Sequence, residues 1–274
     1  MVHPMFVSNQ PKVVLLSGNG LRHRYVAVEL AKSSQLVGVV SEGKAPIIAH
    51  PEQLPPDDLD VINKHLGQRD EAERRMFGTI ADFPQPCLAV LHGQSNSDSV
   101  FDWVRRLEPD FLVMYGTSII KDPLLSAYVN KVVNLHLGLS PYYRGTATNF
   151  WPLVYGEPEC VGATIHLAVL KVDAGPILAQ VRPQAEREDG AHELGCKTIA
   201  AAAQTLPKAL SLLASGQLKP RTQNLAGGRL CRRKDFTAEA VRKMWGNFES
   251  GMMSDFVAHA KQRTGRYPIV EAPQ

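Results

Sequence analysis

The chain has 274 residues, a formal net charge of +3, 44% hydrophobic and 21% charged residues, with 21 Gly and 19 Pro. Those values exclude collagenous, coiled-coil and wholly disordered classes, and suit one large domain or one domain with a small appendage. The charge is too weak to announce a nucleic-acid binder, and no run approaches the roughly 20 apolar residues of a membrane span.

Residues 12–17 (KVVLLS) predict a first strand. Gly18-Asn19-Gly20 follows, then a helical pattern from Arg22, then a second strand over residues 35–41. Strand, glycine turn, helix and strand open an α/β domain with a parallel sheet, and strands apolar on both faces are covered on both sides. Residues 43–86 interrupt this rhythm with a Pro-rich start and a polar helix over residues 57–78, read as an insertion or long crossover. The rhythm then resumes: strands at 87–91, 110–115 and 131–135, helices at 97–107 and 123–128. A short helix is expected at 149–155, strands at 161–169 and 176–181, a long helix at 191–215 and a last helix opening at Phe236-Thr237. The main domain is expected over residues 11–215, with residues 216–274 as a short C-terminal extension.

Cys87, Cys160, Cys196 and Cys231 lie far apart with no CxxC pair, and residues 1–10 lack a charged, apolar leader pattern. Both features point to buried thiols in a reducing, cytoplasmic setting rather than a disulfide framework or zinc site.

Three features carry candidate chemistry. The turn Gly18-Asn19-Gly20 places backbone amides at a helix N-terminus, where the dipole favours an anion, with Arg22 beside it. It is neither G-x-G-x-x-G, since position 23 is His, nor a Walker A loop, and a plain tight turn explains it equally well. The segment from Asn134 through His136 to Gly145 comes next. Alternation sends Asn134 and His136 to one face at a strand end, where open α/β sheets place ligands. An amide beside an imidazole suits an oxyanion and a moving proton. Last, Asp173 opens D-A-G-P, a turn composition that also offers a carboxylate to hold an imidazole.

The combination N-L-H-x-G-L-S-P-Y-Y-R-G with D-A-G-P-I-L some forty residues on resembles the folate-dependent formyltransferase family. Its members include glycinamide ribonucleotide, methionyl-tRNA and amino-sugar N-formyltransferases. The resemblance covers roughly residues 12–215. It implies a Rossmann-like formyltransferase fold, a mostly parallel sheet with helices on both faces. It implies Asn134, His136 and Asp173 as catalytic residues and 10-formyltetrahydrofolate as donor. By position it assigns the folate-contacting stretch to Met114, Tyr115, Gly116, Thr117 and Ile119. Acceptor binding falls to Gly18, Asn19, Gly20, Arg22, Tyr143 and Arg144. The implied mechanism is direct formyl transfer, with no metal and no covalent enzyme intermediate.

The acceptor is expected to be a small-molecule amine, a nucleotide-linked amino sugar being the leading choice. Leu21 and Arg22 replace the Ser-Asn of the glycinamide ribonucleotide enzymes, which argues against that phosphate substrate. The 59 residues from 216 to 274 are short for the C-terminal β-barrel of the tRNA-formylating relatives. Residues 217–243 carry eight Lys/Arg against two Asp/Glu, more commonly a solvated face than a tRNA surface. The alternatives kept open are the tRNA and ribonucleotide enzymes, a formyltetrahydrofolate deformylase and a non-catalytic folate-binding protein. The deformylases usually carry an N-terminal regulatory domain, which the residues before the first strand do not provide. The last helix is expected either to close the core or to form a homodimer seam.

Overall fold

The computed structural model describes residues 10–48 and 50–271, so the leader reading of the first residues lies largely outside it. Strand β1 (Lys12–Gly18) is buried from Val13 to its end. Helix α1 (Leu21–Ser33) and strand β2 (Gln35–Glu42) follow. Helix α2 (Pro56–Phe77) begins at a proline, whose missing amide hydrogen is not needed in a first turn. Asp57 and Asp58 sit in its first turn and Arg74 and Arg75 in its last, each complementing the helix dipole. Then come β3 (Cys87–Val90), α3 (Asp98–Arg106), β4 (Phe111–Tyr115), α4 (Leu124–Ala127) and β5 (Val132–His136). The Ser97 hydroxyl caps α3 by accepting from the Val100 amide. The chain continues through β6 (Tyr143–Gly145), α5 (Trp151–Val154), β7 (Ala163–Leu167), β8 (Ile177–Val181) and α6 (Ala191–Ala214). It ends with β9 (Arg229–Cys231), α7 (Ala238–Glu249), α8 (Met252–Ala258) and α9 (Ala260–Thr264). No described helix is long and apolar enough to cross a membrane.

Seven strands form one sheet in the order β3-β2-β1-β4-β5-β7-β8. The first five run parallel, and β7 and β8 are antiparallel. Alternation along β1 builds two cores. Val13 and Leu15 pack with α1 and α6, while Val14 and Leu16 pack with α3 and α4. This is the mostly parallel α/β arrangement with helices on both faces of the sheet that the strand–helix rhythm predicts. The chain winds outward from β1 to β3, then returns to β4 beside β1. That reversal opens a crevice at the carboxyl ends of β1 and β4, the usual ligand position in such sheets.

Two parts of the molecule differ from the sequence expectation. The expected last helix is three helices: Gly251 at φ +84 separates α7 from α8, and His259, outside helical geometry, separates α8 from α9. Strands β6 and β9 pair in a small second sheet that periodicity does not reveal, since each has only three residues. Gly145 makes that pairing possible. It holds φ +97, and a β-carbon there would stand 2.1 Å from the Cys231 carbonyl oxygen. A third apolar cluster joins Tyr143, Trp151 and Val161 to Val241, Met244 and Phe256, so the C-terminal helices pack on the segment after β5.

Gly175 lies in the turn that joins β7 to β8. A β-carbon at this position would come within 1.7 Å of the Leu167 carbonyl oxygen. The obstacle is backbone, so the hairpin itself must open to admit it. Gly175→Ala is expected to cost about 3–4 kcal/mol. Urea unfolding measures it, and an unchanged midpoint would show that the turn has room.

Candidate active site

Strand β5 ends the parallel run with Asn134 and His136 two positions apart. In the antiparallel pairing with β7, Asn134 stands opposite His166 and His136 opposite Thr164. The loop after β7 returns Asp173 to the same place, holding it at φ +47, a left-handed conformation rare for a non-glycine residue. Asp173 is the hub. Its Oδ1 accepts from Asn134 Nδ2 at 3.1 Å, and its Oδ2 accepts from the Gly145 amide at 2.8 Å. His136 Nδ1 lies 3.4 Å from Oδ2. Burial pushes the Asp173 carboxyl upward, but His136 and the Gly145 amide oppose it, and the group is held at about 2.

His166 completes the cluster. Its Nδ1 lies 2.8 Å from the Leu167 carbonyl, which only accepts, so this nitrogen carries the hydrogen. The free Nε2 lone pair then accepts from Asn134 Nδ2 at 3.1 Å. Both hydrogens of the Asn134 amide are thereby engaged. The sequence reading missed His166, and its only signal was a histidine in the strand directly preceding Asp173.

The His136 ring is buried, with Nε2 at 3.2 Å from the Tyr143 carbonyl and 3.3 Å from the Thr148 hydroxyl. Burial lowers its pKa, while Asp173 pulls the other way by favouring the cation. Opposed pressures of that kind leave an imidazole able to take and return a proton. Cys160 is fully buried, and burial pushes its thiol far above the ordinary value, so this residue supplies no thiolate.

Asn134, His136 and Asp173 face a cavity of about 770 Å³ at the crevice between β1 and β4. Met114, Tyr115, Gly116, Thr117 and Ile119 line it as well. Glu42, at the end of β2, fixes this stretch. It accepts from the Ser118 amide at 2.9 Å, from the Ser95 hydroxyl at 2.7 Å, and from the Thr117 hydroxyl and Gly93 amide. Burial opposes its ionisation, but these donors hold it at about 2. Glu42→Ala strands four donors and is expected to lose about 2–3 kcal/mol of stability. Denaturant unfolding of wild type and variant checks this; equal stability would mean that water replaces the carboxylate without cost.

The acceptor-side residues are placed less uniformly. Arg22 lines the cavity, but Gly18, Asn19 and Gly20 do not. The Gly20 amide donates to His23 Nδ1 at 3.2 Å, so that part of the turn is already satisfied within the chain. The Tyr143 ring is buried away from the cavity, with its phenol donating to Glu157, and only its carbonyl reaches His136. Arg144 is also buried outside the cavity, with Nη1 at 3.4 Å from the Val172 carbonyl. Of the aromatic residues Tyr142, Tyr143, Phe150 and Trp151 that follow β5, Phe150 lines the cavity and the other three do not. The insertion contributes Lys44, Ile47, His65, Leu66, Arg69 and Glu73 to the lining. The basic C-terminal stretch is only partly solvated: Arg232 and Arg233 also line the cavity, and Arg229 lies over the Tyr155 ring at 4.4 Å.

A sequence model of the formyl transferase family matches residues 12–210, most of the chain. The chain belongs to the formyl transferase family. Solved structures agree in fold. Phosphoribosylglycinamide formyltransferase from Anaplasma phagocytophilum is 20% identical, with 81% of this chain and 98% of that chain covered and a TM-score of 0.54. Glycinamide ribonucleotide transformylase 1 from Symbiobacterium toebii is 19% identical, with coverages of 82% and 98% and a TM-score of 0.54. A sugar N-formyltransferase from Shewanella sp FDAARGOS_354 is 18% identical, with coverages of 82% and 78% and a TM-score of 0.51. At these identities the likeness is one of fold. The family match places Asn134, His136, Asp173 and His166 all inside the matched residues.

Proposed function

We propose that this formyl transferase moves a formyl group from 10-formyltetrahydrofolate to the primary amine of a small-molecule acceptor, with a nucleotide-linked amino sugar as the first candidate. The observation that carries the proposal is the convergence of Asn134, His136 and Asp173 around one carboxylate, in a cavity walled by Met114 to Ile119. Family membership supports formyl transfer as the reaction class, and a folate donor is typical of the family. The sugar acceptor is supported by the size of the cavity and by one structural relative, the Shewanella sugar N-formyltransferase.

The acceptor nitrogen attacks the formyl carbon, and the carbonyl oxygen gains negative charge in a tetrahedral intermediate. Asn134 exchanges its hydrogen bond to His166 for one to this oxyanion, while Asp173 keeps the amide in place. His136 stands beside it, held by Asp173. The amine loses a proton, the folate N10 gains one as its bond to the formyl carbon breaks, and His136 carries that proton between them. Holding both reactants side by side supplies the proximity contribution.

The test incubates the purified protein with 10-formyltetrahydrofolate and a panel of amines. The panel holds nucleotide-linked amino sugars, glycinamide ribonucleotide, hydroxylated ornithine and methionyl-tRNA, and the readouts are tetrahydrofolate release and acceptor mass. A formyl mass gain on an amino sugar is expected. Gain on methionyl-tRNA alone would overturn the small-molecule assignment, and folate binding without release would overturn catalysis.

A further inference from the structure

The family match ends at residue 210, and the chain after α6 returns to the site from beyond it. Arg221 exchanges two backbone hydrogen bonds with Ile177 of β8. The Ile177 amide donates to the Arg221 carbonyl at 2.7 Å, and the Arg221 amide donates back at 2.8 Å. The bridge is antiparallel, so Gln223, two residues on, comes opposite Gly175 in the turn that carries Asp173. Gln223 Nε2 donates to the Gly175 carbonyl at 2.6 Å and to the Asp173 carbonyl at 3.1 Å. Both carbonyls only accept, so the amide nitrogen faces them and both of its hydrogens are used.

The turn needs such a hold. Asp173 stands at φ +47, a left-handed backbone that a non-glycine residue keeps only where its surroundings over-determine it. That backbone aims the carboxylate, with Oδ1 at Asn134 Nδ2 and Oδ2 at the Gly145 amide. The same C-terminal segment supports the second contact. Strand β9 pairs with β6, and the Thr146 amide donates to the Cys231 carbonyl at 2.9 Å, which fixes Gly145 beside Asp173. Residues 221–231 therefore hold both the main chain of Asp173 and the amide that its carboxylate receives.

We propose that Gln223 is a positioning residue for formyl transfer, clamping the turn that aims the Asp173 carboxylate at Asn134 and His136. The inference rests on the formyl-transfer reading above and extends its machinery into the C-terminal segment, outside the residues matched by the family. Gln223 touches no reacting atom. It acts through Asp173, as a supporting side chain that locks the geometry of a group in the site.

Two variants test this. Gln223→Met keeps an unbranched chain of similar length and removes both donors. Gln223→Glu keeps the shape and turns an oxygen toward the two carbonyls. With 10-formyltetrahydrofolate and the amine that the panel identifies, each is expected to lower kcat about 10–10²-fold, with KM for the folate within about twofold. Adding Gln223→Met to Asp173→Asn is expected to lower kcat no further, because the turn then has no carboxylate to aim. Amide hydrogen exchange reads the same hold without turnover. The Gly145 amide is expected to exchange about tenfold faster in both variants. The Val14 and Leu16 amides of buried β1 are expected to stay protected, which also shows that the variants are folded. Unchanged kcat in both variants, a loss that adds fully to that of Asp173→Asn, or unchanged Gly145 exchange would overturn the proposal. Wild type that formylates no amine of the panel, with Gly145 exchange still quickened in the variants, would instead end the formyl-transfer reading and leave the hold of Gln223 on Asp173 standing.

Discussion

Asp173→Asn is expected to lower kcat for formyl transfer by about 10³–10⁴-fold while the protein stays folded. The change keeps the shape and removes the charge. Asp173 uses both oxygens as acceptors, one for Asn134 Nδ2 and one for the Gly145 amide and the His136 side. An asparagine must turn an NH₂ group toward one of these donors, so either the Asn134 contact or the Gly145 contact becomes a clash of hydrogens. His136 loses the anion that favours its cationic form. The pH dependence has a defined sign. Asp173 titrates near 2 in the folded chain and near the ordinary aspartate value of about 3.9 when unfolded. It therefore contributes stability above pH 4 and loses that contribution as pH falls toward 2. Acid unfolding of wild type should steepen in this window relative to Asp173→Asn. Parallel curves, or a variant with near-normal turnover, would remove Asp173 from its role as hub.

His136→Ala is expected to lower kcat by about 10²–10⁴-fold, with little change in KM for the folate donor. The His136 imidazole lines the cavity, lies 3.4 Å from Asp173 Oδ2 and can take and return a proton. Its removal leaves Thr148 bonded to the Leu137 carbonyl and Gly145 bonded to Asp173, so the loop keeps its anchors. The Tyr143 carbonyl loses one partner, at a cost of about 1–2 kcal/mol, which a folded domain absorbs. Steady-state rates at saturating donor separate the two effects: a lost kcat with a stable KM assigns chemistry to His136, while a raised KM alone assigns it to binding.

The parts of this molecule that were legible in sequence are those with local periodicity. The run KVVLLS, the following glycine turn and the two-residue spacing of Asn134 and His136 each state their geometry within a few residues. The D-A-G-P turn was legible only beside them, since the motif alone describes an ordinary turn. His166 was not visible, because its bond to Asn134 depends on the register of β7 against β5. The same holds for Glu42, whose donors come from two loops more than 50 residues away. Tyr143 and Arg144 were over-read: a basic residue and an aromatic beside the motif look like pocket residues, but Tyr143 packs in the apolar cluster with the C-terminal helices and Arg144 is buried against the Val172 carbonyl. The pairing of β6 with β9 spans more than 80 residues in chain separation, and three-residue strands leave no pattern to detect.

The most direct test of the account follows a single ¹³C label. Wild type and His136→Ala are given 10-formyltetrahydrofolate labelled in the formyl carbon together with the acceptor found in the amine panel, under single-turnover conditions. The account predicts that the label arrives on the acceptor nitrogen as a formamide in wild type and stays on the folate in the variant. Label released as free formate, or transferred at an undiminished rate by His136→Ala, would contradict it.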